Sequence, residues 1–200
     1  MTEREKMLEG LLYNPMDDEL VKLRRNARDI AKIYNQTDED QEDLRDRLLT
    51  NLLGAYGDHS HISPYVKFDY GVNTYIGDNC YFNFNSTFLD CGEIRIGNNV
   101  YVGPNCSFYT PSHPMLADER NQRLDEEGNW YNLERAVGIV VEDNVWLGGS
   151  VVINPGVTIG HDSVIAAGSV VVKDIPAKVF AGGNPCRVIR EITEEDRLIR

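Results

Sequence analysis

The stretch "VVINPGVTIGHDSVIAAGSVVVKDI" (Val151–Ile175) repeats itself at an interval of six. Val141, Leu147, Ile153, Ile159, Ile165 and Val171 form an unbroken series of aliphatic residues at that step. Four residues after each stands Val145, Val151, Val157, Ser163, Ser169 or Ile175, all small or β-branched. Between them lie turn-formers: Asp143-Asn144, Pro155-Gly156, His161-Asp162 and Ala167-Gly168. A period of six matches neither the helical repeat of about 3.6 nor simple strand alternation. It does fit one short strand plus one turn. Three such hexads close a triangular coil, and stacked coils form parallel sheets with the aliphatic residues inside. Branched side chains suit the flat walls, and Gly and Asn suit corners that require positive φ. The expected fold is a parallel β-helix.

Upstream the pattern loosens. Ile76-Gly77, Phe82 and Phe88 share one register, and Ile96-Gly97 and Val102-Gly103 follow after a shift of two residues. From Tyr109 to Gly138 there is no hexad at all. A polar excursion of this length from a regular solenoid is usually functional or disordered. Residues 1–57 read differently again. Leu8, Leu11 and Leu12, then Leu20, Leu23, Ala27, Ile30 and Ile33, recur at helical spacing. The "NPMDDEL" run (Asn14–Leu20) breaks the first helix and starts a second, and Thr37–Gly57 predicts a third with Thr37 or Asp38 as N-cap. The expected organisation is a helical segment over 1–57, a β-helix over 58–192 with an excursion loop over 109–138, and a C-terminal tail over 193–200. The helices are expected to cap the coil.

Bulk properties exclude several classes. With 42% hydrophobic and 26% charged residues, the composition is that of a soluble globular protein. A net charge of −12 argues against a nucleic-acid surface, which needs clustered Lys and Arg. No apolar run is long enough to span a membrane, and "MTEREKMLEG" (Met1–Gly10) lacks the features of a signal peptide. Cys80, Cys91, Cys106 and Cys186 show no paired metal-site spacing. Their expected state is reduced, in the cytoplasm.

Of the four histidines, His161 falls in a solvent-facing turn, and His59 and His61 lie in the joint between helices and coil. His113 opens the excursion, between Ser112 and Pro114, where the chain leaves a stiff scaffold. That placement suits a catalytic imidazole.

Several motifs then carry a resemblance. "NCYFNFNSTFLD" (Asn79–Asp90), "PSHP" (Pro111–Pro114), "NVWLGGSVVINPGVTIG" (Asn144–Gly160), "SVIAAGSVVVKDIP" (Ser163–Pro176) and "AGGNPCRVIREI" (Ala181–Ile192), with the helical opening, resemble the maltose/galactoside O-acetyltransferases. These are hexapeptide-repeat acyltransferases. The resemblance implies a left-handed β-helix and a homotrimer with sites at its interfaces. It implies acetyl-CoA as cosubstrate, a sugar hydroxyl as acceptor, and no metal. It makes His113 the catalytic base and Asn83 a support for the transition state. It implies Asn83, Trp146, Gly149, Ala167, Val172, Lys173, Arg187 and Arg190 as cofactor contacts. Asp69, Tyr81 and Cys91, with Asn14, Asp17 and Trp130, become the expected acceptor contacts. Cys91 stands where the galactoside enzymes carry an acidic residue, and Asp69 favours a polyol acceptor because a carboxylate accepts two hydroxyl hydrogen bonds. Rival readings are an antibiotic-acetylating relative, a metal-dependent hydratase on the same fold, and a noncatalytic solenoid scaffold.

Overall fold

The computed structural model describes residues 1–199. The hexads fold as their spacing dictates: every residue of the Val141–Val171 series, and every one of its Val145–Ile175 companions, is buried. Short strands stack into three walls. Wall one holds Ala55–Tyr56, Thr74–Ile76, Ile94–Ile96, Ile139–Val141 and Thr158–Ile159. Wall two holds His61–Ile62, Tyr81–Phe82, Tyr101–Val102, Trp146–Leu147, Val164–Ile165, Val179–Gly182 and Arg187–Glu191. Wall three holds Lys67–Phe68, Thr87–Leu89, Ser107–Tyr109, Val152–Ile153 and Val170–Val171. Neighbouring strands pair in parallel, except the last pair of wall two, which is antiparallel. The first wall strand, Ala55–Tyr56, lies inside the segment expected to be helical.

Two corners run the length of the prism in left-handed backbone conformation. Between walls one and two the residues are His59, Asn79, Asn99, Asn144, Asp162 and Lys178. Between walls two and three they are Tyr65, Asn85, Asn105, Ser150 and Gly168. Asn and Asp tolerate this region because their short polar side chains find local partners. Here the partners are one another: Asn99 donates to Asn144 at 3.2 Å, Asn144 to Asp162 at 2.9 Å, and Asn85 to Asn105 at 3.1 Å.

The third corner explains the shift of two residues. In the upper coils Ile76 pairs with Ile96 and Phe88 aligns with Phe108, each twenty residues on, whereas Val141 pairs with Ile159 eighteen residues on. The two additional residues lie between walls three and one, at Asp69–Asn73 and again at Leu89–Glu93. A wider corner buries backbone polar groups that no ladder satisfies, and such groups need partners. Buried side chains supply them. Asp90 accepts from the Tyr70 N–H at 2.8 Å and the Thr74 hydroxyl at 3.1 Å, Asn73 donates to the Asp90 carbonyl at 2.8 Å, and Thr110 accepts from the Gly92 N–H at 2.8 Å. Phe68, Phe88 and Phe108 stack beside this corner at 4.9 Å between ring centroids.

The N-terminal segment has three helices, α1 (Glu3–Leu8), α2 (Asp18–Tyr34) and α3 (Glu42–Leu52). Ala27, Ala31 and Tyr34 of α2 join Leu49 and Leu52 of α3 and Leu53 in the main core, so these two helices close the upper end of the prism. Met7, Tyr13 and Leu20 form a second, smaller core with Tyr70, Cys91 and Ala136 outside the widened corner. Two expectations fail here. Leu11 and Leu12 are exposed and outside α1. The helix ends in a Schellman motif, with Gly10 at positive φ, Leu11 N–H bonded to the Lys6 carbonyl and Gly10 N–H to that of Met7. Nor does Thr37 or Asp38 cap α3. The Thr37 hydroxyl instead donates to the Tyr34 carbonyl at the end of α2 and accepts from Arg45, and α3 begins five residues later at Glu42.

The excursion is ordered. It leaves wall three at the widened corner and opens with Pro111–Ser112, antiparallel to the returning Arg135–Ala136. A short helix, α4 (Ala117–Arg120), and a hairpin of Arg123–Leu124 with Trp130–Tyr131 fill the tip. Asp125 organises the hairpin turn by accepting from the Glu127 and Asn129 N–H groups at 2.9 and 2.8 Å. The root is tied to the N-terminal segment: Tyr13 bridges Glu134, and Arg135 donates to the Gly10 carbonyl at 2.7 Å.

Candidate active site

His113 stands one residue beyond the ribbon at the root of the excursion. The residues around it are held. Ser112 donates to the Arg135 carbonyl at 3.3 Å, and Arg120 donates to the Pro114 and Met115 carbonyls at 3.3 and 3.1 Å. The imidazole itself is exposed and bonds to none of the described residues. A ring with both nitrogens unengaged on a fixed backbone is available to a bound hydroxyl.

Asn83 follows the second strand of wall two, at the corner with wall three. Its side-chain oxygen accepts the Phe84 N–H at 2.8 Å. Because that partner is a donor, the acceptor must be the amide oxygen, which leaves the NH2 group as an unspent donor. Tyr81 precedes it on the outer face of wall two. It is stacked on His61 at 5.8 Å between centroids, and Tyr101 and Trp146 continue the same exposed aromatic column. Neither His59 nor His61 joins a cluster of three or more metal-ligating side chains among the described residues.

The glycines of the same corner separate into two kinds. A Cβ on Gly103 would lie 2.5 Å from the Gly149 nitrogen, and one on Gly148 would lie 2.6 Å from the Ala167 nitrogen. Both are required because adjacent coils approach so closely. A Cβ on Gly149 would meet Pro104 more mildly, at 3.3 Å, a tight contact that a small shift could relieve. Gly149 and exposed Ala167, with little or no side chain, leave a smooth lane along the corner. At the far edge of wall three, Val172 and Lys173 are exposed, and Lys173 makes no ion pair with the described residues. Arg187 donates to the Cys186 carbonyl at 2.7 Å. Arg190 is already engaged: it grips Asp196 through two bonds of 2.8 and 2.7 Å and lies over Phe180. The pair holds the Asp196 carboxyl at about 2.

Of the expected acceptor residues, Asp69 and Cys91 meet at the widened corner, while Tyr81 lies on wall two and Trp130 on the excursion tip. Asp69 pairs with Arg28 of α2 at 3.1 Å, and the Cys91 sulfur lies 3.8 Å from its other oxygen. Cys91 is only 3% exposed. It is wrapped in the second core against Tyr13, and burial pushes its thiol far up. Its contact with the other expected acceptor residues is through Asp69. Asp17 is the N-cap of α2, accepting from the Glu19 and Leu20 N–H groups, and Asn14 accepts the Met16 N–H at 2.9 Å. Both shape the turn between α1 and α2. Trp130 stands exposed on the tip hairpin opposite Leu124.

The chain thus presents two groups. Asn83, Gly149 and Ala167 follow the corner between walls two and three, with Tyr81 and Trp146 beside them on wall two. Asp69, Cys91 and His113 gather at the widened corner and loop root. No hydrogen bond joins the two groups within the chain. Sequence reasoning passed over Arg28, Lys32, Tyr65 and Lys67, which line a groove with Asp69. The basic pair Arg28 and Lys32, four residues apart on α2, was the visible signal.

Comparison with known proteins agrees with this architecture. Residues 6–57 match the maltose acetyltransferase hexapeptide capping motif, and residues 138–173 match the bacterial transferase hexapeptide model of six repeats. The galactoside O-acetyltransferase of Escherichia coli is 38% identical over 197 residues, covering 98% of this chain and 92% of its own. A crystal structure of a maltose O-acetyltransferase from Clostridium difficile superposes with a TM-score of 0.89 at 42% identity, covering 97% of this chain and 99% of that one. A galactoside acetyltransferase in complex with coenzyme A superposes with a TM-score of 0.90 at 37% identity, covering 100% and 96%. With its hexads, its helical cap and its excursion loop all in place, the chain belongs to the maltose/galactoside O-acetyltransferase family of hexapeptide-repeat acyltransferases.

Proposed function

We propose that this acyltransferase moves an acetyl group from acetyl-CoA to a hydroxyl of a sugar, at sites built between copies of the chain. The observation that carries the reading is His113: an imidazole with no partner among the described residues, on a backbone clamped at both flanks. Acetyl-CoA supplies an acetyl group already activated as a thioester, so no metal is needed to polarise it. The difficulty is the nucleophile, because a sugar hydroxyl is feeble until it loses its proton. His113 takes that proton as the oxygen attacks, which typically contributes ~10²–10⁴-fold. A C–O bond forms, the C–S bond breaks, and the proton passes from the imidazole to the departing sulfur. The Asn83 NH2 donates to the carbonyl oxygen as negative charge develops there. Its orientation is fixed in advance by the Phe84 N–H, so nothing reorganises when the charge appears.

The lane at Gly149 and Ala167 has room for the pantetheine arm, and Val172 and Trp146 offer it apolar contact. Lys173 and Arg187 provide charge for the CoA phosphates. Arg190 joins them only by giving up Asp196. Asp69 is the acceptor-binding carboxylate, Cys91 backs it, and Tyr81 and Trp130 offer flat faces to a ring. The split between the Asn83 group and the His113 group supports a trimer, in which one copy's loop faces its neighbour's corner. Four buried, unpaired cysteines fit a reducing cytoplasm.

The test is an acetyl-CoA turnover assay that reads free thiol across maltose, glucose, galactosides and nonsugar alcohols. Thiol release should depend on a sugar. Release driven only by nonsugar alcohols, or by none of the compounds, defeats the sugar assignment.

A further inference from the structure

A groove of about 590 Å³ runs between α2 and the first strand of wall three. Its floor is apolar, made by Ala31, Val66, Phe68 and Leu89, while Arg28, Lys32 and Lys67 stand along it. Three cations in one groove are unusual on a chain of net charge −12. Arg28 and Lys32 are four residues apart on one helix, a spacing at which like charges oppose each other. The single carboxylate in the lining is Asp69, and Arg28 already holds it at 3.1 Å. Lys32 and Lys67 have no ion-pair or side-chain hydrogen-bond partner among the described residues. The groove therefore keeps an uncompensated positive charge.

It is also preformed. Asn35 of α2 donates to the Val66 carbonyl at 2.8 Å and accepts the Val66 N–H at 3.0 Å. This double bond of side chain to backbone locks the corner of the first coil to the helix. The neighbouring residue, Tyr65, sits at φ 68, is 62% exposed and lines the groove. An aromatic face beside an apolar floor suits a sugar ring, and two free ammonium groups suit an anion.

We propose that this groove receives an anionic substituent, a phosphate or a carboxylate, carried by the sugar acceptor. Lys32 and Lys67 are its charge partners, and Tyr65 lies against the ring. The inference rests on the acceptor reading above, because Asp69 belongs to both the groove and the proposed acceptor site. The acceptor class becomes acidic or phosphorylated sugars in preference to neutral ones.

The experiment compares glucose, glucose 6-phosphate and glucuronate as acceptors in wild-type enzyme and in the Lys32→Gln/Lys67→Gln double variant. In wild type at least one anionic sugar should have a KM about tenfold below that of glucose, the size of one charge-assisted contact. Added salt should shrink the difference. The double variant should erase it while leaving the KM values for glucose and acetyl-CoA unchanged. Which of the two anions is preferred identifies phosphate or carboxylate as the group recognised. Glucose turned over with a KM equal to or below those of both anionic sugars overturns the proposal. So does a rise in the acetyl-CoA KM in the double variant, which would give the lysines to the cosubstrate. If no sugar is acetylated, the acceptor reading has failed on its own, and calorimetric titration of the two anionic sugars into both proteins decides the groove. Binding to wild type that weakens about tenfold in the double variant sustains it, and no binding to wild type at millimolar concentration at low salt ends it.

Discussion

His113, the proposed base, shows how much the surroundings of a residue must supply for the role assigned to it. Its ring makes no bond to any of the described residues, while Ser112, Arg120 and Arg135 fix the backbone on either side of it. His113→Ala should therefore leave the fold and acetyl-CoA binding intact and lower kcat by roughly 10²–10⁴-fold. Steady-state kinetics beside a calorimetric measurement of acetyl-CoA affinity would check this, and undiminished turnover with a good acceptor would reject His113 as the base. The residue was legible in the sequence because it sits where a strict repeat breaks. The burial of Cys91 was not legible. Its position in the chain suggested a ligand contact, but no repeat pattern reveals that the N-terminal segment folds back over the widened corner and covers it.

At the scale of the element, the widened corner is the most informative piece. Its two additional residues looked like a slipped register in the sequence. In three dimensions they form a small polar core centred on Asp90. Burial raises the Asp90 carboxyl to about 6, against hydrogen bonds from the Tyr70 and Gly71 backbone and from Thr74 that pull it down. Because the folded state favours the protonated form, this stabilisation is complete below the ordinary carboxylate range near 4. It is lost as pH rises through 6. Thermal melts of wild type and Asp90→Asn across pH 4 to 7 should show the variant gaining on wild type as pH rises, by on the order of 3 kcal/mol at most. A difference that stays constant with pH would mean that Asp90 is ionised throughout. The hexads from Val141 onward were fully legible, since each is held by its own local alternation. The upper coils were not, because their spacing depends on which buried side chains satisfy an irregular corner. The missing N-cap of α3 has a local origin: Thr37 is drawn off by the Tyr34 carbonyl three residues back and by Arg45 eight residues on.

At the scale of the whole molecule, the outer face of wall two carries the exposed column Tyr81, Tyr101 and Trp146. This column is the surface on which the proposed trimer would meet. Light scattering after gel filtration should report three times the chain mass. Tyr101→Glu, which alters no proposed site residue, should lower that mass and take the turnover with it, while circular dichroism stays that of the β-helix. A fully active wild-type monomer would remove the intersubunit site. The division between helical cap, coil and excursion could be read from periodicity. That the N-terminal segment also anchors the excursion, through Tyr13 and Arg135, could not, because those contacts span more than a hundred residues.

The coil's two ends bear on what this protein is prevented from becoming. Stacked parallel strands leave open rows of amides and carbonyls at top and bottom, ready to template another molecule into a fibre. Here α2 and α3 seal one end. At the other the chain reverses, laying Arg187–Glu191 antiparallel along wall two with its arginines and Glu191 outward, and Arg190 latches onto Asp196. Growth by end-to-end addition is thus blocked at both termini, leaving sideways association as the direction in which copies can meet.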